Sequence, residues 1–132
     1  MGTWGTGPFD SDDALDWVWE LQEAPDWSLV DSALRTAADT APDVDLEAPA
    51  GQVAWAAATV VTAAAHPGVA VPDEVAAWLD RHRGACPPEL RPLASRALER
   101  VLADRSELVA LWNEAGNDDW LTDVQRLVSQ LG

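Results

Sequence analysis

The sequence contains no lysine, no tyrosine and no isoleucine, and its 132 residues include a single cysteine. The basic residues are therefore eight arginines, and 23 aspartates and glutamates outnumber them, which gives a formal net charge of −15. Because such a chain repels a phosphate backbone, binding of nucleic acid through a basic face is excluded. Cys86 has no partner for an internal disulfide, and this predicts a reduced protein of the cytoplasm.

Long apolar runs are also missing. The longest covers residues 53–65 and is interrupted by Thr59 and Thr62, whereas a membrane-spanning helix needs about 18 or more apolar residues. We therefore expect no membrane span. The opening residues lack the basic start and the apolar run of a secretory signal, so none is expected there. A chain of this length is typical of one domain.

The negative charge is concentrated at the front of the chain. Residues 1–50 hold 12 acids and only Arg35, a balance of −11, whereas residues 81–132 hold 8 acids and 7 arginines, a balance of −1. Four of the eight tryptophans, Trp4, Trp17, Trp19 and Trp27, lie in the same front part. Acidic side chains and large aromatic rings are thus combined in one region.

The spacing of apolar residues predicts an all-α fold, because helical periodicity recurs along the chain and alternating strand patterns are missing. We predict a compact single-domain bundle of six or seven short helices over residues 1–132, with residues 1–10 as an irregular N-terminal arm packed on it. The expected helices begin at Asp10, Ser11 or Asp12, at Asp26 or Ser28, at Pro49 or Ala50, at Asp73, after Pro88, near Leu108 and after Asn117.

Two of these helices have unusual polarity. The first has only a narrow polar stripe, so we expect it to be covered on most of its circumference. The third ends at Ala65 and lies within residues 48–72, which carry no charge at all, and this predicts the central helix of the bundle. Trp55, Trp78 and Trp112 are expected to fill core volume that alanine leaves empty.

Motifs of common catalytic and metal sites are not found. The acids from Asp10 to Asp16 do not form a calcium loop, because Leu15 and Leu21 stand where such a loop needs Gly and Glu. Cys86 follows His82 by four residues, but no third residue is evident to orient the histidine, so we interpret Cys86 as an ordinary turn cysteine. We predict no catalytic residue, no metal and no cofactor.

The opening M-G-T-W-G-T-G-P-F-D-S-D-D-A-L-D-W resembles that of a bacterial family known as domain of unknown function 4259, which begins M-G-x-W-G-x-G-x-F-x-N-D-x-A-x-D. Ser11 stands where the family usually has Asn, and both residues cap helices well. The resemblance brings no activity, cofactor or catalytic residue. It implies that the N-terminal arm is a defined structural or binding element. The matching positions are Gly2, Trp4, Gly5, Gly7, Phe9, Asp12, Ala14 and Asp16.

Two functions remain open. The first is a non-enzymatic interaction protein, resembling an immunity or inhibitor protein, that binds a basic protein partner through its acidic front part. The second is a small-ligand or divalent-metal site between the arm and the first helix, with hydrolytic chemistry as an extension. A monomer or weak homodimer is expected in both cases. The candidate binding residues are Trp4, Phe9, Asp10, Asp12, Asp13, Asp16, Trp17 and Glu20.

Overall fold

A computed structural model describes residues 8–9, 11–103, 105–116 and 119–131 of the chain. Over these residues it is all-α, as predicted, and forms one compact domain without strands. None of the described helices combines the length and the apolar character needed to cross a bilayer. The helices are α1 (Asp12–Glu23), α2 (Ser28–Ala38), α3 (Ala48–Ala65), α4 (Asp73–His82), α5 (Leu90–Leu102), α6 (Glu107–Ala115) and α7 (Asp119–Leu131).

Helix α3 is the centre of the bundle, which confirms the prediction from its missing charges. It packs against each of the other six helices. Most of its residues are buried, including the polar Thr59 and Thr62, whose hydroxyls donate to the carbonyls of Trp55 and Ala58 one turn earlier. Its many alanines allow neighbouring helices to approach closely.

Several helix ends are explained by local hydrogen bonds. Ser11 caps α1, where its hydroxyl oxygen accepts the Ala14 N–H at 3.1 Å. The Asp26 carboxylate accepts the Ser28 N–H at 2.9 Å at the start of α2, and this bond lowers the pKa of Asp26. Gly116 ends α6 with a φ of 68°, a left-handed conformation that glycine adopts without strain.

The exposure of α1 differs from our expectation. Its buried residues are Ala14, Trp17, Val18 and Leu21, whereas seven of its twelve residues are exposed. The expectation that α1 is covered on most of its circumference is therefore wrong. The reason is that Trp19, an apolar residue in the pattern, lies outside the core and is 71% exposed.

The other described tryptophans are core residues, which confirms the prediction for Trp55, Trp78 and Trp112. Trp27 and Trp78 meet edge to face with their ring centroids 4.8 Å apart. The Trp27 indole N–H donates to the His82 carbonyl at 2.9 Å, and that of Trp78 donates to the Ala24 carbonyl at 3.0 Å. These two bonds connect the segment between α1 and α2 to α4.

Arg100 of α5 holds the segment between α2 and α3. Its side chain is buried, and its guanidinium donates to the carbonyls of Thr40, Ala41 and Val44. The helical spacing of the sequence predicts that α2 continues to Ala41, but the carbonyls of Thr40 and Ala41 accept from the Arg100 side chain and α2 ends at Ala38. The same segment pairs Leu46 with Ser106 in an isolated parallel bridge.

We expect Arg100→Met to lower the free energy of unfolding by roughly 2 kcal/mol or more, because three carbonyls lose a charged donor. Urea denaturation followed by circular dichroism measures the change. Arg96→Met on the exposed side of the same helix is the matched control, with an expected effect within about 0.5 kcal/mol. Equal effects of the two substitutions would contradict the role assigned to Arg100.

Candidate functional site

Three of the predicted acidic residues line one groove beside α1. Asp13, Asp16 and Glu20 lie at positions i, i+3 and i+7, which places them on one side of the helix. The groove has a volume of about 310 Å³ and runs between α1, α2 and α3. No basic side chain lines it among the described residues. The groove therefore presents an uncompensated negative edge.

The inner side of the groove is apolar. Trp17, only 4% exposed, lines it together with Ala33 of α2 and Ala50 and Val53 of α3. The buried indole N–H of Trp17 has no hydrogen-bond acceptor among the described residues. Carboxylates above an apolar surface suit a side chain that has an aliphatic stem and a cationic end, as lysine and arginine have.

Two of the remaining predicted site residues, Phe9 and Asp12, lie outside the groove. Phe9 is buried in the hydrophobic core, and Asp12 is exposed in the first turn of α1 but does not line the groove. Trp4 and Asp10 are outside the described residues. Of the eight candidates, the structure therefore brings together Asp13, Asp16, Trp17 and Glu20. The site between the arm and the first helix stays a prediction.

Trp19 was not among the predicted site residues, although it is the most exposed large apolar side chain in the described part of the chain. It lies three residues after Asp16 and four before Glu23, so both carboxylates are its neighbours on the helix surface. On the helix surface Trp19 lies beside the polar stripe, next to Asp16 and Glu23, but the spacing alone did not show that this side of α1 lacks a neighbouring helix. We call Asp12, Asp13, Asp16, Trp19, Glu20 and Glu23 the acidic face.

The described residues offer no group of three or more His, Cys, Asp or Glu side chains placed to hold a metal ion. The carboxylates of the acidic face are distributed along three turns of α1 instead of converging on one point. This arrangement favours contacts with an extended basic surface over coordination of a single cation.

The chain was also compared with known proteins. The model of the family described as "Domain of unknown function (DUF4259)" matches residues 2–123. The chain belongs to this family. No curated protein and no solved structure matches it. The match to the DUF4259 family covers α1 to α6 and part of α7, so it includes the acidic face and the groove. The family description assigns no activity, and the function has to be inferred from the chemistry of the surface.

Cys86 of this DUF4259 protein has the surroundings of an ordinary turn cysteine. Its thiol lies 3.8 Å from the Pro87 carbonyl oxygen, whereas the His82 ring stacks on Trp78 with centroids 4.3 Å apart. Burial raises the pKa of the Cys86 thiol, against a smaller opposing effect of Arg91. Near neutral pH the group is therefore a protonated thiol and a weak nucleophile.

We expect Cys86 to react with iodoacetamide at pH 8 severalfold more slowly in the folded protein than in urea, because the raised pKa lowers the thiolate fraction. The reaction is followed by intact mass. Glutathione in the same buffers controls for the effect of urea on the reagent. A folded protein that reacts faster than the unfolded chain would contradict this interpretation and indicate an activated thiolate.

Proposed function

We propose that this protein is a non-enzymatic interaction protein that binds a basic protein partner through the acidic face of α1 and the groove beside it. The observation that carries the proposal is the 71% exposure of Trp19 within a row of carboxylates. Large aromatic side chains are frequent anchors of protein interfaces, where their burial contributes much of the binding energy.

The charge distribution supports a basic partner. Five acids and no arginine lie in α1. The nearest cation in the sequence, Arg35 of α2, is held by Asp31 at 2.5 Å. Among the described residues, no arginine forms an ion pair with Asp13, Asp16 or Glu20, so the negative field of these carboxylates is retained. Such a field increases the rate at which a positively charged protein associates and disfavours acidic competitors.

Trp19 and its neighbours suit arginine in particular. A guanidinium can stack on the exposed indole while its N–H groups donate to the carboxylate of Asp16 or Glu23. The groove offers a second position for a basic side chain, with Trp17 and Val53 beside the stem and Asp13, Asp16 and Glu20 near the cationic end. A partner with two or more exposed basic side chains would use both positions.

We expect Trp19→Ala to weaken binding of the partner by about 2 kcal/mol or more while changing the free energy of unfolding by less than about 0.5 kcal/mol. Partners are captured from a cell lysate on the immobilised protein and released by salt. Leu111→Ala, at an exposed apolar residue of α6, is the control and should retain capture. If no basic protein is released by salt, or if both variants capture equally, the proposal fails.

A charge test separates the acidic face from the net charge of the whole molecule. Changing Asp13 and Asp16 to Asn together with Glu20 to Gln should abolish the salt-sensitive capture. The control changes Glu74, Glu99 and Glu114 to Gln, which neutralises the same number of exposed carboxylates elsewhere. The control should retain most of the capture, because short-range contacts need carboxylates at the interface. Equal losses of capture in the two triple variants would show that capture depends on the net charge of the protein and not on the acidic face.

A further inference from the structure

A second concave site lies on a different side of the bundle, between α3, α7, the segment that joins α3 to α4, and Pro8, which precedes α1. We call it the α3–α7 cavity. Its volume is about 340 Å³, and its apolar lining includes Trp55, Val69, Ala70 and Leu127. Among the described residues, Asp123 and Arg126 of α7 are the charged members of its lining. A cavity of this size, mostly apolar with a few polar groups, is typical of sites for small organic ligands.

The inner wall of the cavity includes the ring of Trp55. Trp55 is fully buried, and its indole N–H has no acceptor among the described residues. The indole N–H of Trp112 also has no acceptor among these residues, and its ring meets that of Trp55 at a centroid distance of 6.4 Å. A buried N–H without an acceptor destabilises the fold. A ligand in the cavity would lie against the Trp55 ring and change the surroundings of its indole.

The charges of the lining select the kind of ligand. Asp123 and Arg126 lie 3.6 Å apart at their nearest atoms, and both side chains are largely accessible to solvent. An exposed pair of this kind contributes little to stability, so either member can turn to a ligand. The net charge of −15 disfavours the binding of a simple anion. A simple cation would contact Asp123 and make no favourable contact with Arg126. A net-neutral molecule with one charge of each sign matches the pair.

We propose that the α3–α7 cavity binds a zwitterionic α-amino acid with an apolar side chain. The ammonium group binds Asp123, the carboxylate binds Arg126, and the apolar side chain contacts Val69, Ala70 and Leu127. The Trp55 ring lies at the inner wall of the same cavity. This site shares no lining residue with the groove beside α1, so it does not depend on the function proposed there.

The test is a titration of the full-length ¹⁵N-labelled protein with L-leucine and with L-phenylalanine, followed by NMR of the indole N–H signals. Trp55→Phe identifies the Trp55 signal. We expect a saturable shift of this signal and a rise in Tm. N-acetyl-leucine amide, which lacks both charges, should bind roughly tenfold more weakly or not at all.

Variants of the lining make the test specific. Arg126→Gln and Asp123→Asn should each weaken binding about tenfold, whereas Arg96→Gln, an exposed arginine outside the lining, should leave it unchanged. Absence of any shift, equal binding of the neutral amide, or equal binding by Arg126→Gln and Arg96→Gln would each overturn the proposal.

Discussion

The structure depends on the packing of one uncharged helix. Helix α3 contacts all the other helices of the described chain, and a charged side chain on it would have to be buried. Its alanines keep the helix narrow, so six neighbours can be placed around it. The charges are consequently carried by the surrounding helices, most of all by α1. The acidic face is thus the outer side of a helix whose inner side is fixed by contact with α3.

The same narrow helix explains where the concave surfaces form. The groove beside α1 borders Pro49, Ala50 and Val53 of α3, and the α3–α7 cavity borders Trp55 and Thr59 of the same helix. Small residues of a central helix leave space that neighbouring helices cannot close completely. Large indoles fill part of this volume, as Trp17 does from α1 and Trp55 does from α3 itself. The remaining space lies at the edges of the bundle, where solvent and ligands have access.

Much of the fold could be predicted from local signals. Ser11 capped the first helix as expected, α4 matched its predicted start at Asp73, and the missing charge of residues 48–72 identified the central helix. The C-terminal end of α2 could not be predicted, because it depends on Arg100, which lies about sixty residues further along the chain. Such a contact leaves no trace in the periodicity of either segment.

The candidate site could be predicted only in part, for a similar reason. The cluster of acids on α1 was visible as spacing, whereas the groove also needs Ala33 and Ala50 from two other helices. Trp17 and Trp19 are two positions apart and chemically identical, yet one is 4% and the other 71% exposed. Helical geometry places the two indoles on different sides of α1. The narrow polar stripe did not reveal which of these two sides lacks a neighbouring helix.

An exposed tryptophan normally favours self-association, and the surrounding charge changes which partner it can meet. A second copy of this protein would bring the same carboxylates against the acidic face, and the repulsion between them opposes burial of Trp19 in a symmetric dimer. A basic protein meets no such barrier, because its cations replace the repulsion by attraction. On this argument the net charge of −15 and the exposed indole are not independent features. The charge around the indole opposes association with proteins of the same sign, and this repulsion is the physical basis of the proposed basic partner.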